Sequence, residues 1–303
     1  MKKLSQEDMM IIERQLYNRS RDIDVAIYNG IMDEENKDFV LDCLMLYMNR
    51  DGGFGSGLYI DNYNPESSVY QTYEAFRILD SLGYDKHSAN PLFNELVNKS
   101  CNYLFNKCLI EEGAWNPTIP SNEHYAHSEE MNYQKNFKEK WGYFPTAPLL
   151  GYILLFVPEN KAYYKKALKQ IGYALNYFDK LSTYCDYDLL AMNQLLKALR
   201  KNNLFDDQQE KLEERLCQFA EKNESVFIPQ YLSNCQLSDV LKQRLEAQLD
   251  SLIDERKSHG LWEHKHGWQS NRYPEADSAA LKWIGAETVR VLAILKQYGR
   301  IEK

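Results

Sequence analysis

The sequence predicts an all-α protein, and three observations carry that prediction. Leu occurs 37 times in 303 residues, against 9 Val and 5 Thr, whereas strands draw on β-branched residues. Gly occurs 14 times and Pro 9 times, too few for a chain of many short turns. The apolar residues also keep helical spacing: Leu237, Leu241, Leu245, Leu249 and Leu252 advance by 4, 4, 4 and 3, which places all five on one stripe. The length exceeds the ~100–200 residues of an ordinary domain. No low-complexity linker divides it, however, and one large helical barrel absorbs such a chain, so residues 1–303 read as a single domain.

Taken in order, the periodicity predicts helices near 6–19, 36–49, 66–82, 91–107, 124–140, 146–156, 160–180, 187–201, 207–222, 237–257 and 278–298. Pro65, Pro91, Pro145 and Pro274 fall just before or inside helix starts, where a missing N–H costs nothing. Gly83 and Gly299 end long amphipathic runs, as C-terminal caps do.

An internal repeat organises these helices. Asp51-Gly-Gly-Phe54-Gly leads through a polar loop to a helix carrying Thr72, Ile78, Leu79 and Gly83. Gly260-Leu-Trp262 leads likewise to Thr288, Ile294, Leu295 and Gly299, an offset of 216. Fainter copies of the glycine-aromatic turn stand at Gly113-Ala-Trp115 and Trp141-Gly-Tyr143. A glycine-aromatic turn followed by an apolar helix, used repeatedly, predicts a closed or solenoidal α/α arrangement, a toroid of helical hairpins.

Charge and composition exclude several partners. The net charge of −8 and pI near 5.4 argue against nucleic acid and against anionic membrane surfaces. The start breaks into Glu7 and Asp8 before any apolar run, so it does not read as a signal peptide. The apolar stretch 147–157 is far shorter than the ~20 residues that span a bilayer. Six cysteines without a CxxC pair read as reduced, mostly buried thiols, and the expected compartment is the cytoplasm.

The string Asn49-Arg-Asp-Gly-Gly-Phe-Gly55, followed by Thr72 on a helix ending in Leu82-Gly83, resembles the repeat of the terpenoid cyclase/protein prenyltransferase superfamily; the segment Trp283…Thr288…Leu295…Gly299 looks like a second copy. That resemblance implies an α/α toroid with inner helices around a central cavity, an apolar isoprenoid-like ligand and acid-catalysed cyclase-type chemistry. Asp186-Tyr187-Asp188-Leu189 matches three of the four positions of the family's Asp-x-Asp-Asp acid motif, which implies Asp188 as the catalytic acid and Asp186 as its partner. Two carboxyls in a dry pocket keep one protonated. The competing role is a cap on the helix that follows. In this family the site is completed by a second domain or subunit, so a partner subunit or a homodimer is an expectation too.

Other constellations are weaker. Asp206-Asp-Gln-Gln-Glu210 imitates a metal-binding acid motif but reads as a solvated first turn. Cys185-Asp186 reverses the order of the family's zinc ligands, and His264 and His266 would point to opposite sides of an extended loop. His124 and His127 would share a helix face. No metal site and no particular cofactor is therefore assigned. The aromatics are more informative: Trp115, Trp141, Tyr143, Trp262, Trp268 and Trp283 are candidates for a ligand-binding wall, suited to carbocations, sugars or apolar chains. This leaves a carbohydrate-active α/α barrel as the alternative, a hydrolase or lyase using acids such as Glu66, Glu275 or Asp277 in two Pro-Glu loops. A non-catalytic binding scaffold is the third reading.

Overall fold

The computed structural model describes residues 1–108, 110–111, 113–264, 268 and 272–302. It is all-helical, with 62% of residues in helices, and a two-residue hairpin pairs β1 (Ile110–Glu111) with β2 (Ala114–Trp115). Thirteen α-helices are found among the described residues, eleven of them of seven residues or more: α1 (Gln6–Arg19), α2 (Asp22–Met32), α3 (Phe39–Met45), α4 (Val69–Ser81), α5 (Pro91–Asn106), α7 (Thr146–Phe156), α8 (Ala162–Lys180), α9 (Asp186–Lys201), α10 (Asp206–Lys222), α12 (Asp239–Asp254) and α13 (Glu275–Gln297), with the short α6 (Lys138–Trp141) and α11 (Ile228–Tyr231) between them.

Local chemistry sets most of these boundaries. Ser5 and Asp8 form a reciprocal capping box at α1. Ser68 caps α4, and Asn90 caps α5 with Pro91 at the first helical position. Helix α7 is buried on every face, from Thr146 to Phe156, and packs against α4, α8 and α9. Its contact with α9 is the most extensive in the molecule, and Gly151 permits it: a Cβ there would stand 3.2 Å from that of Ala198. Helix α13 packs on α1 and α2. At Gly285 a side chain would strike Ser20 Oγ at 2.5 Å, so only glycine allows that approach.

The repeat has a structural expression. The backbone N–H of Phe54 donates to Thr72 Oγ1 at 3.3 Å, and that of Trp262 donates to Thr288 Oγ1 at 3.1 Å. A third copy is the N–H of Trp115 donating to Thr146 Oγ1 at 2.8 Å. These three glycine-aromatic turns are thus each hung from a buried threonine on a helix, and three of the five threonines serve this purpose. The two ends of the chain also meet. Leu4 and Arg300 join through Leu4 N–H to Arg300 O at 2.8 Å, and Glu302 N–H returns to Leu4 O at 3.0 Å.

Three expectations change. The sequence gives no helix at 22–32, yet α2 forms there and buries Ile23, Ala26, Ile27 and Ile31; the interior Gly30, an intrinsically poor helix former, hides the pattern and sits where a Cβ would meet Leu82 and Lys37 at 2.9 Å. The expected helix at 124–140 is broken into 3-10 turns at Pro120–His124 and Glu129–Met131 plus α6. Its carbonyls accept from side chains that precede it instead of from a helix ladder, as with Asn122 Nδ2 to Met131 O (2.8 Å) and Asn116 Nδ2 to Gln134 O (2.9 Å). The cysteines are free, but only Cys101 is buried; Cys185 is exposed and the other four are half-buried.

Candidate functional site

A cavity of about 1330 Å³ opens between α4, α9 and α13, the 58–61 loop and the segments that precede α12 and α13. Helical spacing decides what faces it. Tyr70, Tyr73, Glu74 and Arg77 come from α4; Asp186, Tyr187 and Leu190 from α9; Trp283, Ala286, Glu287 and Arg290 from α13. The wall is aromatic and charged together. Glu74 binds Arg77 at 2.6 Å, Glu287 binds Arg290 at 2.6 Å, and Arg21 on the rim binds Asp24 at 2.8 Å.

Asp61 is the most constrained acid on this wall. Its loop is clamped to the 120–131 segment: Ser128 N–H donates to Asp61 O, Tyr63 N–H to Ala126 O, and Asn64 Nδ2 to Asn122 Oδ1. Arg21 Nη1 donates to the carbonyls of Gly57 and Leu58. The Asp61 carboxyl is 5% exposed, and a single oxygen, Oδ1, accepts the indole N–H groups of Trp268 at 2.7 Å and Trp283 at 2.6 Å. Burial raises its pKa above the ordinary aspartate value, an effect the two indoles and nearby His264 only partly offset.

Glu287 lies on the same wall with the opposite bias. Burial works against its ionisation, but hydrogen bonds from His264 and Arg290 outweigh that and push its pKa down to about 2. His264 links the two acids spatially: its ring stacks on Trp283 at 4.0 Å with a 9° interplanar angle, and Nδ1 lies 3.7 Å from Glu287 Oε2. Around them Tyr59 packs against Tyr70 (4.4 Å) and edge-on against Trp283 (5.7 Å). The site therefore offers one carboxyl that favours its proton, one that favours its charge, and aromatic faces beside both.

No protein-family model and no curated protein sequence matches this chain.

The residues singled out in the sequence take different places. Asp186 lines the cavity near Tyr231. Asp188 does not line it: its carboxylate turns back to accept from the N–H and thiol of Cys185 (3.1 and 3.2 Å) and from Tyr177 Oη (3.3 Å), closing the N-terminus of α9. Of the six aromatics, Trp262 and Trp283 line the cavity and Trp268 holds Asp61. Trp115 is fully buried behind Phe105, Trp141 is buried under Tyr187 and Tyr70, and Tyr143 lines a different cleft. Glu66 is exposed and accepts from Ser121, and Glu275 and Asp277 stand in the first turn of α13; none of the three lines the cavity. His127 is held between Tyr125 O and Asn132 Oδ1, and His124 ends a 3-10 turn. His266 lies outside the described residues. Among the described residues no three His, Cys, Asp or Glu side chains gather as metal ligands, and no helix is long and apolar enough to cross a membrane.

Sequence reasoning missed Asp61, Glu74 and Glu287. For the two glutamates the signal was Glu-x-x-Arg at 74–77 and 287–290, on both helices that carry the copied threonine but out of register with it (an offset of 213 against 216); Asp61 has no such pattern.

Proposed function

We propose that the cavity binds a polar, ring-bearing ligand of the carbohydrate class and that Asp61 is its proton donor. The observation that carries the reading is a nearly buried carboxyl that faces a charged and aromatic cavity, where burial outweighs the two indole N–H groups that fix its position. A sugar presents hydroxyls and C–H faces together, which suits ion-paired arginines beside Tyr59, Tyr70, Trp262 and Trp283. In cleavage of a glycosidic bond Asp61 would give its proton to the leaving oxygen while ionised Glu287 stabilises the positive charge growing at the anomeric carbon. Water would then form the new C–O bond at that carbon and return a proton to the Asp61 carboxylate. The helices facing the cavity, α4, α9, α12 and α13, we read as part of the inner ring of an α/α toroid, closed where the two ends of the chain meet.

The rival reading, an isoprenoid-like ligand in a terpenoid cyclase-like toroid, draws on the same aromatic wall. Three buried or half-buried ion pairs on that wall weigh against it, because an apolar chain would leave their polar groups desolvated without partners. Thermal melting with a panel of oligosaccharides and isoprenoid diphosphates tests the choice. A shift with a saccharide, lost in Trp283→Ala, supports the first reading; a shift with an isoprenoid alone overturns it. For a saccharide that is turned over, Asp61→Asn should retain the melting shift and lose activity by about 10²-fold or more. Wild-type activity should fall as pH rises, because the proton that Asp61 donates is lost through its raised pKa.

A further inference from the structure

A second cleft, of about 890 Å³, lies away from the cavity, between α8, the β1–β2 hairpin and the start of α6. Its character is the reverse of the chain as a whole. The chain carries a net charge of −8, yet Lys138, Lys166, Lys169 and Lys180 line this cleft, and no carboxylate does among the described residues. Lys166, Lys169 and Lys180 make no ion pair among the described residues, and all three are exposed. The charge is regular as well as dense. Positions 166, 169, 173, 176 and 180 advance by three or four along α8, with Tyr177 beside them, so Lys and Tyr share one helix face that opens on the cleft.

The tyrosines give the cleft a shape. Tyr143 packs against Tyr177 with ring centroids 4.9 Å apart, and Lys138 stands 5.0 Å over the Tyr143 ring. Tyr173 is 53% exposed. One side of its ring is held against the hairpin turn, where a Cβ on Gly113 would come within 3.0–3.2 Å of it. Gly113 also has a φ of +80°, so the turn and the absence of a side chain are both required for that contact. A tyrosine fixed on one side and open on the other is a stacking platform. Gln170 and Asn176 add uncharged donors and acceptors beside it.

We propose that this cleft is a binding site for an anionic oligosaccharide, whose carboxylates or sulfates pair with the lysines and whose ring face stacks on Tyr173. The amide and phenol groups suit sugar hydroxyls, which a bare inorganic anion lacks. The acidic remainder of the surface repels a long polyanion such as nucleic acid, whereas a short charged sugar meets only the cleft. The proposal stands on different residues from the cavity and does not need the cavity to act on carbohydrate.

The test uses a galacturonic acid oligomer, an uncharged maltose oligomer and a single-stranded oligonucleotide as probes in titration calorimetry of the full chain. The galacturonate should bind, and raising ionic strength from about 0.01 M to about 1 M, which shortens the screening length from about 30 to about 3 Å, should weaken it severely. Lys169→Glu together with Lys166→Glu should weaken it by about tenfold or more. Tyr173→Ala, which keeps every charge, should weaken it as well, and Lys169→Gln should fall between wild type and the double reversal. Melting curves of each variant separate lost binding from lost folding. Galacturonate binding that ignores both the lysine and the Tyr173 changes would overturn the site. Tighter binding of the oligonucleotide, or binding that ignores Tyr173 alone, would overturn the assignment to sugar.

Discussion

Replacing Asp188 separates two roles that a carboxylate can play where a helix begins. Its three acceptor contacts all lie at the N-terminus of α9. Asp188→Asn keeps an acceptor there and should change stability by a few tenths of a kcal/mol, whereas Asp188→Ala should cost about 1 kcal/mol in urea unfolding. Glu287 makes the second case at this scale. Its pKa falls from the usual 4.5 to about 2 on folding, so its stabilising contribution is complete above 4.5 and disappears as pH falls toward 2. That depression corresponds to about 3 kcal/mol at neutral pH. Glu287→Gln should therefore be less stable than wild type by an amount of that order at pH 7, and the gap should close in unfolding titrations carried into the acid range.

Three threonines make the prediction that belongs to the elements. Thr72, Thr146 and Thr288 each accept a buried backbone N–H from the turn that precedes or faces their helix. Thr→Val keeps the shape and removes the acceptor, so each replacement should cost about 1–3 kcal/mol through an unsatisfied N–H. Thr→Ser should restore most of it, and chemical denaturation of the six variants checks both statements. These elements also show what the sequence could reveal. The helix over 146–156 was legible to the residue because it is apolar throughout, and the 216-residue offset located two of the three threonine anchors. Asp61 was not legible. It sits in a loop without periodicity, and what makes it unusual is burial under Trp268 and Trp283, more than 200 positions away. Local patterns cannot register a contact of that separation. The 124–140 segment failed for a different reason: a run of Asn, Ser and His reads as a polar helix, but the carbonyls of Met131 and Gln134 are taken by the Asn122 and Asn116 side chains that precede it.

For the molecule as a whole the junction of the two ends is decisive. Arg300 is fully buried and binds Lys2 O, Asp250 and Glu246 at once. Arg300→Met should lose about 2 kcal/mol or more, because charge-assisted bonds vanish and Lys2 O is left without its donor. A chain ending after Gly260 would lose α13 and with it the cover over Ile23, Ile27 and Ile31 on α2 and both indoles on Asp61. It should be insoluble or molten, read by gel filtration and near-ultraviolet dichroism; a compact, soluble product would show α13 to be dispensable.

That junction also orders events in time. Leu4 pairs with a residue nearly three hundred positions downstream, so at a synthesis rate of ~5–20 residues per second the first two helices leave the ribosome roughly 15–60 s before their partner exists. Through that interval α2 lacks α13, one of the helices it packs against. Joining the two ends is then a late event with a large loop to close, and a nascent chain stalled before residue 280 is the form most exposed to chaperones and to proteases.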